Sequence, residues 1–176
     1  DSVVVADCID HHLERMQLDS MKTQGIWLTC RIPSDVEPGE YCGNLIVRDG
    51  RKVISKLQLK VTAQEEVLPQ PSDWHFHLDL WQNPYAAARY HDVELWSEEH
   101  FEVMRPLMTL LAEAGQKVIT TTLIHKPWGG QTYDHFESMV KWIKKADGTW
   151  EYDFSIFDKW VEFMMECGVK KEINCY

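Results

Sequence analysis

The sequence is short of positive charge. Eighteen Lys and Arg stand against 28 Asp and Glu, a formal net charge of −10, and no basic run exceeds the pairs Arg51-Lys52, Lys144-Lys145 and Lys170-Lys171. Nucleic acid and anionic membrane surfaces both call for a basic patch, so neither is expected as a partner. Long hydrophobic runs are missing as well, so no signal peptide is visible and no membrane insertion is expected. Asp1 in place of an initiator Met reads as a processed or engineered boundary, ahead of which a targeting segment has room to have been removed. The five cysteines include no CxxC pair and form no dense framework. No zinc site follows from them, and at least one thiol should be free. Gly-rich phosphate loops are absent after the strands of the C-terminal half, which argues against nucleotide binding. No cofactor and no metal are expected.

Tryptophan, by contrast, is plentiful, at eight residues. Flat rings suit wet clefts and serve as stacking platforms for sugars, although many are simply core residues.

Residues 1–63 read as β structure. Ile26, Leu28, Cys30 and Ile32 alternate as the inward face of one strand. A Pro, Asp and Gly turn over 33–40 leads to a returning strand from Tyr41 to Arg48. Asp49-Gly50 marks a tight hairpin, and Val53 to Thr62 alternates again, with Val53, Ser55, Leu57, Leu59 and Val61 on one face. A sheet with one dry face packs on another layer, which points to a β-sandwich of immunoglobulin type, either minimal or missing its first strands. The turn length sets Cys30 and Cys42 on opposite faces, so no disulfide is expected between them. His11-His12 with Glu14 reads as an exposed loop pair rather than a metal site. Residues 64–72, acidic with two prolines, form a semi-rigid linker.

At His75 the chain changes character. His75, His77, Asp79 and Trp81 alternate with Phe76, Leu78 and Leu80, which reads as a strand presenting hydrogen-bonding and stacking groups on one face, stopped by Asn83-Pro84. The other reading is an antiparallel strand with an ordinary wet face. A loop from Pro84 to Trp96 is expected next. A helix follows, capped by Ser97 and closed by Gly115, with Phe101, Met104, Leu107, Met108, Leu111 and Ala114 on its apolar side and Pro106 as a possible kink. A strand over 117–124 runs into a loop. Residues 138–152 form an inserted hairpin, and Ser155 with Asp158 resembles a cap opening a second helix that Gly168 closes. A third strand covers 171–176. Strand, helix, strand implies parallel pairing, and residues 73–176 supply the first three β/α units of a (β/α)8 (TIM) barrel, incomplete because a barrel needs ~250 residues. A small open α/β sheet is the rival architecture.

Several of these segments resemble glycoside hydrolase family 123, the β-N-acetylgalactosaminidase family. They are the hairpin from Ile26-Trp27-Leu28-Thr29 to Pro38-Gly39-Glu40-Tyr41, the strand from His75 to Pro84, the run from Ala114 to Ile119, Asp147-Gly148-Thr149-Trp150 with Phe157-Asp158, and Ile173-Asn174-Cys175-Tyr176. The resemblance implies an α+β multidomain protein, a sandwich followed by a barrel. It also implies substrate-assisted hydrolysis, in which the 2-acetamido group of the sugar attacks its own anomeric carbon. An adjacent Asp orients that group and a Glu protonates the leaving oxygen. This sequence contains no Asp-Glu dipeptide; such a pair is expected beyond Tyr176, leaving no catalytic residue in this chain, which alone should be inactive. Asp153 and Asp158 belong to the hairpin and the helix cap.

Ligand contacts in a barrel come from the C-terminal ends of its strands. That selects Asp79, Trp81 and Asn83, then His125 and Trp128, then Asn174 and Tyr176 as substrate-binding residues. Asp79 would accept sugar hydroxyls, Trp81 or Trp128 would stack, and His125 and Asn174 would donate; structural roles remain open for each. His75 falls in the barrel floor. The expected partner is a carbohydrate and the expected location secreted or periplasmic, with anchoring through a removed N-terminal segment as an option. Two other readings stand beside this one: a non-catalytic carbohydrate-binding or scaffold module, and a barrel glycosidase of other sugar specificity.

Overall fold

Gly50 sits at φ +55°, in the left-handed region that glycine adopts without steric cost, and the chain reverses there. The hairpin it closes, β1 (Gly39–Asp49) and β2 (Lys52–Ala63), is antiparallel. The computed structural model describes residues 15–176 and divides the chain into two compact units, Asp1–Leu68 and Pro69–Tyr176. Cys8 and the His11, His12 and Glu14 group lie outside the described residues.

In the first unit the register pairs Tyr41 with Val61 and Leu45 with Leu57, so Ser55, Leu57, Leu59 and Val61 share a face; a register shift at Val47/Arg48 puts Val53 opposite Arg48 and takes it off that face. The face is not dry: Leu57 is 52% and Leu59 42% exposed, and only Ala63 of the ribbon is buried. Among the described residues no second sheet covers it. The strand expected over Ile26–Ile32 is corrected too, since it carries no regular secondary structure, and Ile26, Leu28 and Ile32 are exposed rather than inward-facing. An alternating pattern buries a face only where a ladder partner and an opposing layer exist.

The second unit is mixed α/β, without a closed barrel among the described residues. Its parallel pair is β3 (Val118–Thr121) with β6 (Glu172–Cys175). Helix α3 (Ser155–Cys167) packs against β3, and α2 (Glu98–Glu113) packs on α3. β3 is buried at all four positions, as a strand must be when both faces are covered. Phe101, Met104 and Met108 from α2, Ile119 from β3, and Trp160, Phe163 and Met164 from α3 form the core. Trp160 is fully buried and its Nε1 donates to Thr120 O at 2.9 Å. Removing a ring of ~150–250 Å² from water contributes roughly 4–6 kcal/mol at ~25 cal/mol per Å².

Caps follow local chemistry. Ser97 Oγ accepts from His100 N, so α2 starts where its cap stands. Leu107, expected on the apolar side of α2, is 54% exposed. Gly115 takes φ +91°, and a Cβ there would meet the Trp74 ring at 2.8 Å, so the position requires glycine on two counts. Ser155 is the first helical residue of α3 rather than its cap; Asp153 Oδ1 accepts from Ser155 N at 2.9 Å instead. The inserted hairpin, β4 (Lys141–Lys144) with β5 (Trp150–Asp153), turns at Gly148, φ +87°.

Two other expectations are corrected. The loop expected from Pro84 is a helix, α1 (Pro84–His91): Asn83 Oδ1 accepts from Ala86 N, Pro84 fills the first turn, and Asp92 in the left-handed region closes it. Asn-Pro both ends the extended segment and begins a helix. The stretch His75–Trp81 is not a ladder strand. It bonds to the β3 segment by one backbone contact, Lys117 N to Leu78 O at 3.0 Å, and otherwise through two buried amides. Gln116 Oε1 accepts from Leu80 N and its Nε2 donates to Leu80 O and Val118 O. Gln82 accepts from Thr120 N at 2.8 Å and donates to Val118 O at 3.2 Å and to Leu80 O. Each amide supplies one acceptor and two donor hydrogens, enough to stand in for the missing ladder bonds.

Candidate functional site

Side chains on one face of this assembly fall into three rows. In the first, His77 Nδ1 lies 3.8 Å from Glu172 Oε1, and Glu172 pairs with Val118. In the third, the Trp81 ring stands 5.2 Å from Tyr176. Alternation sets Asp79 between His77 and Trp81, and Asn174 between Glu172 and Tyr176, so Asp79 and Asn174 share the middle row. Thr120 joins them there, because it pairs with Asn174 in register while its neighbour Ile119 faces the helical core.

The third row is aromatic. Trp81 and Trp128 stack at 5.1 Å between centroids with planes 30° apart, and Tyr176 meets Trp128 at 5.1 Å. Phe136 backs Trp128 at 4.7 Å. Trp81 stays 56% exposed, which leaves ring surface open to solvent. Asn174 Nδ2 donates to the Tyr176 hydroxyl at 2.8 Å. Burial pushes the Tyr176 hydroxyl above its ordinary pKa and the Asp79 carboxylate adds to this, while a hydrogen-bonding contact with Trp81 acts the other way. The phenol therefore remains protonated across the neutral range and keeps both donor and acceptor capacity.

Five of the seven residues selected from the sequence, Asp79, Trp81, Trp128, Asn174 and Tyr176, lie in this group. Asn83 does not join it, since its side-chain oxygen is engaged in capping α1. His125 lies in the loop after β3, half exposed, with Nδ1 2.6 Å from Glu137 Oε2. Glu137 is itself anchored: its backbone oxygen accepts from Tyr85 Oη at 3.0 Å and Thr122 Oγ1 at 2.6 Å. Arg89 pins the same loop through a bidentate contact to Asp134 at 2.7 and 3.0 Å, which holds the Asp134 carboxyl below its usual range. His75, expected in the floor, is exposed.

Sequence reasoning passed over Thr120, Glu137 and the two glutamines. The only signal for the glutamines was that Gln82 and Gln116 stand in segments that carry the family resemblance. Among the described residues no cluster of three or more His, Cys, Asp or Glu is gathered to hold a metal, and no helix is long and apolar enough to cross a membrane. Cys30, Cys42, Cys167 and Cys175 are free thiols.

The chain's similarities can be set beside this geometry. Residues 81–176 match the glycoside hydrolase 123 catalytic domain, and residues 1–49 match the glycoside hydrolase 123 N-terminal domain. Among solved structures, the chain is similar to a family 123 glycoside hydrolase from Clostridium perfringens whose structural analysis concerns glycolipid glycan hydrolysis. The two are 32% identical and superpose with a TM-score of 0.77 over 83% of this chain. The chain spans 27% of that relative's length. No curated protein matches. The catalytic-domain match covers more than half of the chain, and the face described above lies within it apart from His77 and Asp79: the chain belongs to glycoside hydrolase family 123.

Proposed function

We propose that this chain forms part of a glycosidase acting on N-acetylhexosamine glycans, with β-N-acetylgalactosaminides as the preferred class, and that residues 73–176 open a (β/α)8 barrel. The observation that carries the reading is the aromatic trio Trp81, Trp128 and Tyr176, which offers exposed ring surface beside Asp79 and Asn174. An aromatic face binds the C–H side of a pyranose, while a carboxylate and an amide at its margin bind the hydroxyls. Asp79 accepts from a hydroxyl and Asn174 fixes Tyr176.

The reaction is substrate-assisted. The sugar's own acetamido oxygen attacks the anomeric carbon, the glycosidic bond breaks, and an acid protonates the leaving oxygen; water then opens the cyclic intermediate. The orienting Asp and the acid Glu come from residues outside these 176, since no Asp-Glu dipeptide occurs among them. This chain alone is therefore inactive; its residues bind and orient.

The test uses the longer protein that contains the chain. It should release the aryl group from aryl β-N-acetylgalactosaminides and be inhibited by a thiazoline mimic of the cyclic intermediate. Hydrolysis without thiazoline inhibition would move the protein to another sugar class. Loss of the chromogenic activity in Trp81→Ala, with the melting temperature kept, would tie the aromatic trio to binding.

A further inference from the structure

Two buried polar atoms of the second unit have no hydrogen-bond partner among the described residues, Asp79 Oδ1 and Thr120 Oγ1. Both belong to the middle row. Thr120 is 2% exposed. Its backbone is fully used, with N donating to Gln82 and O accepting from Trp160, so only the hydroxyl stands unmatched. A buried hydroxyl or carboxylate oxygen without a partner is costly, more so for the charged group. The two needs are complementary. Asp79 Oδ1 lacks a donor, and Thr120 Oγ1 has a proton to give, yet the two do not bond each other.

We propose that the middle row is a binding site for one O–H group, with Thr120 as a positioning residue for Asp79. The incoming oxygen accepts the Thr120 hydroxyl proton in a hydrogen bond and donates its own hydrogen to Asp79 Oδ1. A single oxygen with both capacities satisfies both orphans at once. The rows on either side fix its height. The aromatic row of Trp81 and Tyr176 stands above it, and the His77–Glu172 contact below. Asn174, opposite Thr120, is turned to the Tyr176 hydroxyl and so does not answer Thr120 itself. The O–H group is either a sugar hydroxyl or a buried water; water is the smaller and reaches a residue as enclosed as Thr120 without moving the aromatic row. In both cases the inner oxygen of Asp79 is held, and the carboxylate plane is set toward the ligand.

The proposal rests on reading this face as a sugar site, and its test separates the two. In the longer protein, Thr120→Val removes the hydroxyl at nearly constant shape and Thr120→Ser keeps it. Thr120→Val should raise KM for an aryl N-acetylgalactosaminide roughly tenfold with kcat largely kept, and Thr120→Ser should restore it. If water fills the row, the Thr120→Val penalty persists on every deoxy analogue; if a sugar hydroxyl fills it, the penalty disappears with the analogue lacking that hydroxyl. A Thr120→Val variant with wild-type KM overturns the proposal. Should that variant not fold, a high-resolution crystal structure of the wild type, with and without N-acetylgalactosamine, decides: an oxygen within hydrogen-bond distance of both atoms supports it, and none in either crystal overturns it. Failure of the wild type to cleave the substrate removes the sugar reading while leaving the crystallographic test intact.

Discussion

The β1–β2 ribbon and strand β3 both carry β-branched and apolar side chains, yet they meet solvent differently. The ribbon is eleven and twelve residues long, with one buried residue between its two strands. β3 has four residues, all buried. Length and alternation therefore do not decide burial. β3 shares one core cluster with helices α2 and α3 and is flanked by the buried amides of Gln82 and Gln116. Among the described residues the ribbon has hydrogen bonds within itself and no opposing layer. Secondary structure is local; dryness needs a second layer.

That contrast is open to direct attack. Trp160→Ala in α3 should cost the most, about 3–5 kcal/mol, because it opens a cavity and orphans the Thr120 carbonyl. Urea unfolding should show the midpoint falling accordingly; a loss under 1 kcal/mol would mean the helical layer is not what stabilises β3. Gln82→Leu comes next. It deletes one of the two amides that join the 78–82 segment to β3, and about 1–3 kcal/mol should be lost by the same measurement. Hydrogen exchange at Thr120 N should accelerate with it.

A smaller effect, linked to a single proton, comes from His100. Its ring is fully buried, with Nδ1 accepting from Trp96 N at 3.1 Å and Nε2 at 2.8 Å from Pro84 O, to which it donates. Both nitrogens are committed in the neutral form. Burial pushes the pKa below its ordinary value, only partly offset by the Pro84 carbonyl, with His91 lowering it slightly. The unfolded chain then binds the proton more readily than the folded one. This contribution is present above about pH 6.5, the unperturbed value, and is lost as pH falls through the lowered folded value. Thermal melts of wild type and His100→Gln across pH 5 to 8 should converge toward the acid side; parallel curves would refute the assignment. The least effect belongs to the ribbon. Leu57→Ala should change stability by no more than about 0.5 kcal/mol, since the side chain is 52% exposed. A loss of 2 kcal/mol there would show that the ribbon's apolar face is covered in solution.

Much of the second unit was legible from local chemistry. Ser97 and Gly115 bounded α2 because capping and left-handed turns depend on residues within one turn of chain. The hairpin around Asp147-Gly148 was legible for the same reason: Asp147 accepts from Thr149 N and Oγ1, a contact two residues long. The helix at Pro84 was misread because Asn-Pro is compatible with both a strand stop and a helix start, and only the three residues that follow discriminate. The extended segment at His75 was misread for a different reason. His77 and Trp81 do reach one face, where they meet Glu172 and Tyr176, but whether the backbone bonds to a ladder or to side-chain amides depends on Gln116, over thirty residues away.

The same division runs through the candidate site. Spacing in the sequence by itself determined that His77, Asp79 and Trp81 share a face, and that Asn174 shares one with Tyr176, because a period of two is set by backbone geometry. Which residues from different segments meet was decided only by tertiary structure. The stacking of Trp81 on Trp128, the alignment of Thr120 with Asn174, and the loss of Asn83 to a helix cap all follow from strand register and loop path. Register is fixed by packing across the sheet, where each contact joins residues far apart in the chain, and no local pattern encodes a distance of that kind.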